Sequence, residues 1–196
     1  MSDGMEVREM NPISVPFLHA EAIDDTEILQ DQRQRSEEIV QNNDQGWGAS
    51  WANRCGSWNS VDIYDNILEE EEVYSPILDN IATLIQQFTD MMRMDWSDMT
   101  PVVTESWLNA NPPGNVQECH IHPHCYISAV YYIHIPDGDG SEFVLDNPLS
   151  YEHTVGCSQE SPYTDKVFDV SSGDLILFPS NIDHHTRVNK SDEYRY

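Results

Sequence analysis

Basic side chains are scarce in this 196-residue chain. Nine Lys and Arg stand against 35 Asp and Glu, a formal net charge of −26 at neutral pH. A surface of that sign repels phosphate backbones and anionic headgroups, which argues against nucleic acid and membrane as direct partners. Long apolar runs are missing too. No stretch approaches the ~18 consecutive apolar residues of a membrane-spanning helix. Residues 1–10 are polar and acidic, without the apolar core of a secretory signal, so a cytoplasmic location is expected. Cysteine is sparse: Cys55, Cys119, Cys125 and Cys157, none of them in C-x-x-C spacing. That argues against a Cys₄ zinc site and leaves reduced thiols packed as small apolar groups.

The length suits one domain with a sizeable core, with 39% hydrophobic and 10% aromatic residues to fill it. Residues 1–100 read as a helix-containing part and residues 101–196 as a β-rich core. Pro12 and Pro16 bracket a short apolar patch, residues 13–18, that suits an edge strand. Residues 24–42 suit a surface helix marked by Ile28, Leu29 and Ile39. Three glycines and Trp47, Trp51 and Trp58 make residues 43–60 a loop anchored by aromatics. The acidic block at residues 68–73 suits a solvated face or a helix start. Beyond Pro76, the apolar marks Ile77, Leu78, Ile81, Leu84, Ile85 and Phe88 recur at helical steps and predict a helix ending near Met94.

Past Pro101 the period changes. Strands are expected over residues 102–108, 127–135, 141–145, 167–170 and 174–178, with an extended segment at 116–121. Turn clusters separate them at residues 109–115, 137–140, 146–148 and 171–173. Short strands at regular spacing point to a sandwich or barrel.

Five of the eight histidines fall in two tight groups, Cys119-His-Ile-His-Pro-His-Cys125 and His184-His185. On a strand, residues i and i+2 point to one side, so His120 and His122 aim both imidazoles at one point. Imidazole suits iron, zinc, copper and nickel. Pro123 breaks the ladder and leaves His124 as an alternative partner for either histidine. A third donor must come from elsewhere, and the spacing leaves both His184 and His185 open. His19, His134 and His153 stand alone.

These residues resemble two related groups. One is the cupin superfamily, whose first motif is Gly, five residues, then H-x-H. Gly114 and His120-Ile-His122 fit it. Its second motif fits Gly173, Pro179 and His184, with Asn181 where a glycine is usual, and the match selects His184 over His185. The glutamate ligand of cupins has no counterpart after His122. The closer resemblance covers residues 100–196 and is to a family of 2-oxoglutarate–Fe(II) oxygenases found in marine bacteria and their phages. It rests on Trp107-Leu-Asn-Ala-Asn-Pro-Pro-Gly114, His120-Ile-His-Pro123, Ser128-Ala-Val-Tyr-Tyr-Ile133, Leu177-Phe-Pro-Ser180 with His184, and Glu193-Tyr-Arg195.

The resemblance implies a mainly β fold, a double-stranded β-helix (jelly roll) with N-terminal flanking helices. It implies Fe(II) on His120, His122 and His184, with 2-oxoglutarate as co-substrate and hydroxylation of a small-molecule or side-chain substrate. No catalytic group beyond the metal ligands is implied. Arg195 suits the distal carboxylate of 2-oxoglutarate, with Arg187 as the fallback. Tyr131 or Tyr132, whichever faces inward, Ser128 and Asn109 are further co-substrate candidates. His122 replaces the carboxylate of the usual two-His-one-carboxylate set. Family members continue past the arginine, so Arg195 is expected close to a frayed end. A cupin-type dioxygenase without 2-oxoglutarate, or a non-catalytic β-helix module, would share the same motifs.

Overall fold

The structure is a computed structural model that describes residues 15–21, 25–48, 56–96, 98–138, 140, 142–149 and 164–196. Residues 13 and 14, Trp51, Cys55, His153 and Cys157 lie outside the described residues. Eight strands and three α-helices occur among those described. The strands are β1 Leu18–Ala20, β2 Trp58–Asn59, β3 Asn109–Ala110, β4 Ile127–Tyr131, β5 Glu142–Leu145, β6 Lys166–Asp169, β7 Leu175–Pro179 and β8 His184–Thr186. The helices are α1 Thr26–Asn42, α2 Ile67–Glu70 and α3 Ser75–Met91.

Two three-stranded antiparallel sheets make the β half. One runs β1-β7-β4 and the other β6-β5-β8. Their inner faces meet over Tyr132, Phe143, Leu145, Phe168, Ile176 and Phe178, all buried. The residues between them on the same strands face the other way, as the two-residue period of a strand demands. Leu175 and Leu177 alternate with Ile176 and pack with Ile127 and Tyr131 against Phe88, Ile81, Leu84 and Ile85 of α3. The β1-β7-β4 sheet is thus covered on both faces, by its partner sheet and by a helix. The jelly-roll expectation and its flanking helices match this plan.

Asp25 caps α1 by accepting from the backbone N–H of Ile28 at 2.9 Å. Its buried side chains, Gln32, Ser36, Ile39 and Val40, recur at helical spacing. Pro76 sits in the first turn of α3 as expected. That helix stops at Met91, three residues before the predicted end, because Arg93 takes a left-handed φ of 53° and turns the chain. The acidic block does start a helix, α2, but Glu71 is not solvated. It accepts both arms of the Arg35 guanidinium, at 2.7 and 2.9 Å, and the Tyr64 hydroxyl at 2.8 Å.

Three strand expectations need correction. Residues 102–108 form no strand. Ser106 makes one bridge to Asn66, and Val102 is 75% exposed with nothing to pair against. The strand comes one step later, at Asn109–Ala110, inside the predicted turn cluster. Asn109 is tolerated there because its side-chain oxygen accepts from Asn59 across the ladder. The patch over residues 13–18 becomes a strand only at Leu18–Ala20, paired with β7. Residues 116–121 run extended beside β8 but bridge it only at His120.

Of the two described tryptophans in the predicted anchored loop, Trp47 and Trp58, it is Trp58 that penetrates. It is fully buried, with Ile39, Ile67, Tyr74, Ile77 and Leu108 among the core residues of its cluster, and its indole N–H donates to the Asn43 carbonyl at 2.8 Å. A Cβ on Gly46 would meet its ring at 2.2 Å, so glycine is required there. Trp58→Ala is expected to cost about 3–5 kcal/mol. Urea unfolding followed by circular dichroism measures it, and a loss below ~1 kcal/mol would show that this cluster does not tie the helical half together.

Candidate functional site

The chain brings residues 116–122 alongside β8, and the two segments exchange backbone hydrogen bonds at one pair. His120 N–H donates to the His184 carbonyl and His184 N–H to the His120 carbonyl, both at 3.0 Å. His122 N–H donates to the Ser180 carbonyl at 3.0 Å, which holds it against the turn leading into β8. The three imidazoles converge. One nitrogen from each of His120, His122 and His184 lies within 4.8 Å of the others. Their ring centroids are 4.2 to 4.9 Å apart.

Two of the rings are locked in a defined tautomer. His120 Nδ1 is 2.7 Å from the Glu118 carbonyl and His184 Nδ1 is 3.0 Å from the Ile182 carbonyl. A carbonyl only accepts, so each Nδ1 carries the proton and each Nε2 keeps its lone pair. That leaves His184 Nε2 facing His122 Nε2 at 3.1 Å. Neutral nitrogen donors aimed at one another fit a shared divalent cation, and backbone carbonyls orienting the remote ring nitrogens are what metal-bound histidines need. The donor set therefore fits Fe(II), and the fit extends to other borderline metals.

Burial sets the electrostatics. His184 is 3% exposed, with Phe178 and Phe143 rings 4.6 and 5.9 Å from its own. Desolvation first, and the neighbouring imidazoles second, push its pKa down to about 3 and that of His122 down to about 4. His120 is lowered as well, again chiefly by burial. All three are neutral at physiological pH, the state a metal requires.

The other described histidines stand outside the triad. His124 follows Pro123 in a left-handed turn, φ 77°, and does not join the triad. His185 leaves the opposite face of β8 and meets Asp146. His19 pairs with Asp174 at 3.1 Å, and His134 lies against Arg33 and Glu193.

The triad opens into one cavity of about 1080 Å³ that continues between α3 and the β4–β7 face. Arg195 reaches this cavity and is 2% exposed. The expected frayed end is overturned. Arg195 and Asn111 exchange backbone hydrogen bonds at 2.9 and 3.0 Å, and Tyr196 does the same with His134. The guanidinium donates to Thr186 Oγ1 at 2.9 Å and to the Arg187 carbonyl at 3.2 Å. Arg187 itself pairs with Glu142 at 2.7 Å on the outside and does not line the cavity.

Tyr132 faces the interior with Phe143 and Phe178, whereas Tyr131 points to the helical side and donates to Gln32 of α1. Of the two tyrosines left open by the sequence, Tyr132 is thus the inward one, and Tyr131 lines the cavity from the helical side, one strand step away. Ser128 shares the interior side and lies 2.8 Å from the Ser180 hydroxyl. Asn109 lines the cavity wall, but its amide is engaged by Asn59.

Sequence reasoning missed Thr186, which the strand period would have found two residues beyond His184. It also missed Asn189. That fully buried side chain accepts from Ser191 and donates to the Asn111 and Glu193 carbonyls, fixing the loop that returns Arg195 to the core. Nothing in a lone Asn-Lys-Ser-Asp turn announces that role.

The family model described as "Putative 2OG-Fe(II) oxygenase" matches residues 105–196. No protein of curated function matches the chain. Among solved structures, a prolyl-4-hydroxylase from Pseudomonas putida superposes with a TM-score of 0.60 at 12% identity, over 92% of this chain and 88% of that one. SnoK, a non-heme alpha-ketoglutarate-dependent carbocyclase from nogalamycin biosynthesis, gives 0.61 at 13%, over 93% and 77%. A prolyl hydroxylase from Trichoplax adhaerens, solved with a hypoxia inducible factor peptide fragment, gives 0.58 at 14%, over 92% and 80%. At these identities the likeness is one of fold: the double-stranded β-helix.

Because the folded-state values of His122 and His184 lie below the ordinary 6.5, unfolding takes up protons below that pH. Stability that is complete above pH ~6.5 is lost as pH falls toward 4, by up to about 1.4 kcal/mol per pH unit for the fully buried His184. Chelator-treated protein is expected to show a falling Tm over this window in scanning fluorimetry, with a shallower fall in His184→Gln. Equal slopes in the two proteins would mean that the imidazole is not held neutral.

Proposed function

We propose that residues 105–196, which match the model of the 2OG-Fe(II) oxygenase family, form a 2-oxoglutarate-dependent hydroxylase in which His120, His122 and His184 hold the Fe(II). The convergence of three neutral imidazoles, two of them with Nδ1 tied to a carbonyl, carries this reading. Bound there, Fe(II) supplies oxygen activation coupled to conversion of 2-oxoglutarate to succinate and CO₂.

Each side chain has a definable task. The Glu118 and Ile182 carbonyls fix the His120 and His184 rings. Phe143 and Phe178 keep water from the inner side of His184, and Trp107, with its ring 5.3 Å from that of His122, closes the outer side. Arg195 offers a planar fork to the distal carboxylate of 2-oxoglutarate, held in place by Thr186 and the Arg187 carbonyl. Tyr132 and Ser128, on the same interior side, complete the co-substrate wall. Tyr131 and Asn109 serve packing instead.

The substrate enters over Trp96, Met99, Val102 and Tyr126, which line the same cavity. Trp96 and Tyr126 stack edge to face at 5.9 Å. An apolar rim on a protein of charge −26 suits a neutral or cationic group, small molecule or side chain, with an apolar portion.

Succinate formation from 2-oxoglutarate with Fe(II), ascorbate and oxygen tests the reading, since uncoupled turnover needs no substrate. His122→Ala and His184→Ala are each expected to lower the rate by a factor on the order of 100 or more, as loss of one metal ligand implies. Arg195→Met is expected to raise KM for 2-oxoglutarate by roughly 10–100-fold, the worth of about 1.5–3 kcal/mol for a charged hydrogen-bond pair. Metal binding should persist in Arg195→Met, which separates lost recognition from lost folding. No succinate from metal-loaded protein, or an unchanged KM in that variant, defeats the assignment.

A further inference from the structure

Side chains alternate along paired strands, so the residues beside His120 and His184 leave the opposite face. Those residues are Cys119 and His185, and there they meet Asp146, just past the end of β5. The Cys119 thiol donates to Asp146 Oδ2 at 3.1 Å and lies 3.9 Å from Asp183 Oδ1. His185 Nδ1 lies 3.3 Å from Asp146 Oδ1. That nitrogen is shielded from solvent, yet the contact is not aligned as a hydrogen bond, and it makes none among the described residues. One atom each from Cys119, Asp146 and His185 lies within 4.8 Å of the other two.

We propose that Cys119, Asp146 and His185 form a second divalent-cation site of the zinc type, completed by water, on the outer face of the strands that carry the triad. Sulfur, imidazole nitrogen and carboxylate oxygen are the donors zinc takes in tetrahedral sites. Bonds of ~2.0–2.3 Å place tetrahedral ligand atoms roughly 3.3–3.7 Å apart. The observed separations of 3.1 and 3.3 Å lie at or just below the short end of that range, so small outward side-chain shifts admit the ion. A cation between Asp146 and His185 also gives the buried nitrogen the partner it lacks among the described residues.

Binding forms an Sγ–metal bond and breaks the S–H bond, with the proton leaving to solvent. No electron is transferred. His185 and Asp146 are each 30% exposed at the side chain, so the ion has a route in.

The two sites differ in chemistry as well as place. The triad is nitrogen-only and neutral, whereas the outer site brings a thiolate and a carboxylate, a charge of −2 that a divalent ion offsets. The outer ion links the 116–122 segment, the end of β5 and the turn into β8. It thus braces from behind the elements that position His120 and His184. This inference does not rest on the oxygenase reading.

Cobalt(II) is the probe, titrated anaerobically into reduced, metal-free full-length protein. Two equivalents per chain are expected, with a near-ultraviolet thiolate-to-cobalt charge-transfer band. Cys119→Ser should remove the band and one equivalent, and Cys125→Ser should keep both. His122→Gln should remove the other equivalent and keep the band. A single equivalent with the band, unchanged in His122→Gln, would support the outer site while defeating the triad. No thiolate band in the reduced wild-type protein overturns the proposal without any variant having to fold. A band that survives in Cys119→Ser overturns it as well, because the thiolate would then belong to another cysteine.

Discussion

The two backbone hydrogen bonds between His120 and His184 are the constraint on which the site depends. They put residues from the start and the end of the β core at the same level of one sheet edge. The strand period then does the sorting. His120 and His184 turn inward together, and Cys119 and His185 turn outward together. A slip of one residue would exchange the two sets and present a thiol and the wrong imidazole to the cavity. Neighbouring contacts guard the register: Thr186 N–H to the Gln117 carbonyl, and Gln117 N–H to Thr186 Oγ1. Each inward ring then ties its Nδ1 to the carbonyl two residues upstream, so one local device, used on both segments, sets both tautomers.

Much of this was legible in the residue order. The H-x-H spacing gave two convergent imidazoles, and the β-prone runs 127–135 and 174–178 gave two strands, the second close to its observed bounds and the first ending four residues early, at Tyr131. Both long helices were marked by the spacing of their apolar residues, and the second also by Pro76. What was illegible has a common cause. Tertiary pairing decides whether a short segment is a strand, and residues 102–108 have apolar character but bridge a neighbour only at Ser106, while Asn109 has turn character but a waiting amide in Asn59. The same holds for the chain end. Taken alone, Arg195 next to Tyr196 reads as a terminus free to fray. Asn189 and Asn111, remote in sequence, bring it back to the core.

The choice between alternatives also turned on geometry finer than spacing. His124 and His185 have the right chemistry and the right neighbourhood. Pro123 diverts the first into a left-handed turn, and strand alternation sends the second to the far face. Tyr131 and Tyr132 differ by one position and by the whole thickness of a sheet, one reaching Gln32 in α1 and the other facing Phe143. In each pair the residue type carried no information, and the parity of its position carried all of it.

Charge explains why the interior must look as it does. A protein of −26 repels a dianion such as 2-oxoglutarate at long range, although salt confines that repulsion to about 8–10 Å. Beyond the surface, only local positive charge can reverse the sign. Arg195 is buried, donates to a hydroxyl and a carbonyl, and lines the triad's cavity. Three neutral imidazoles leave a divalent ion its full charge, whereas a carboxylate ligand would cancel part of it. Under the proposed assignment, His122 in place of that carboxylate would make the inner site more positive within an acidic shell, so that it could hold an anion the exterior repels.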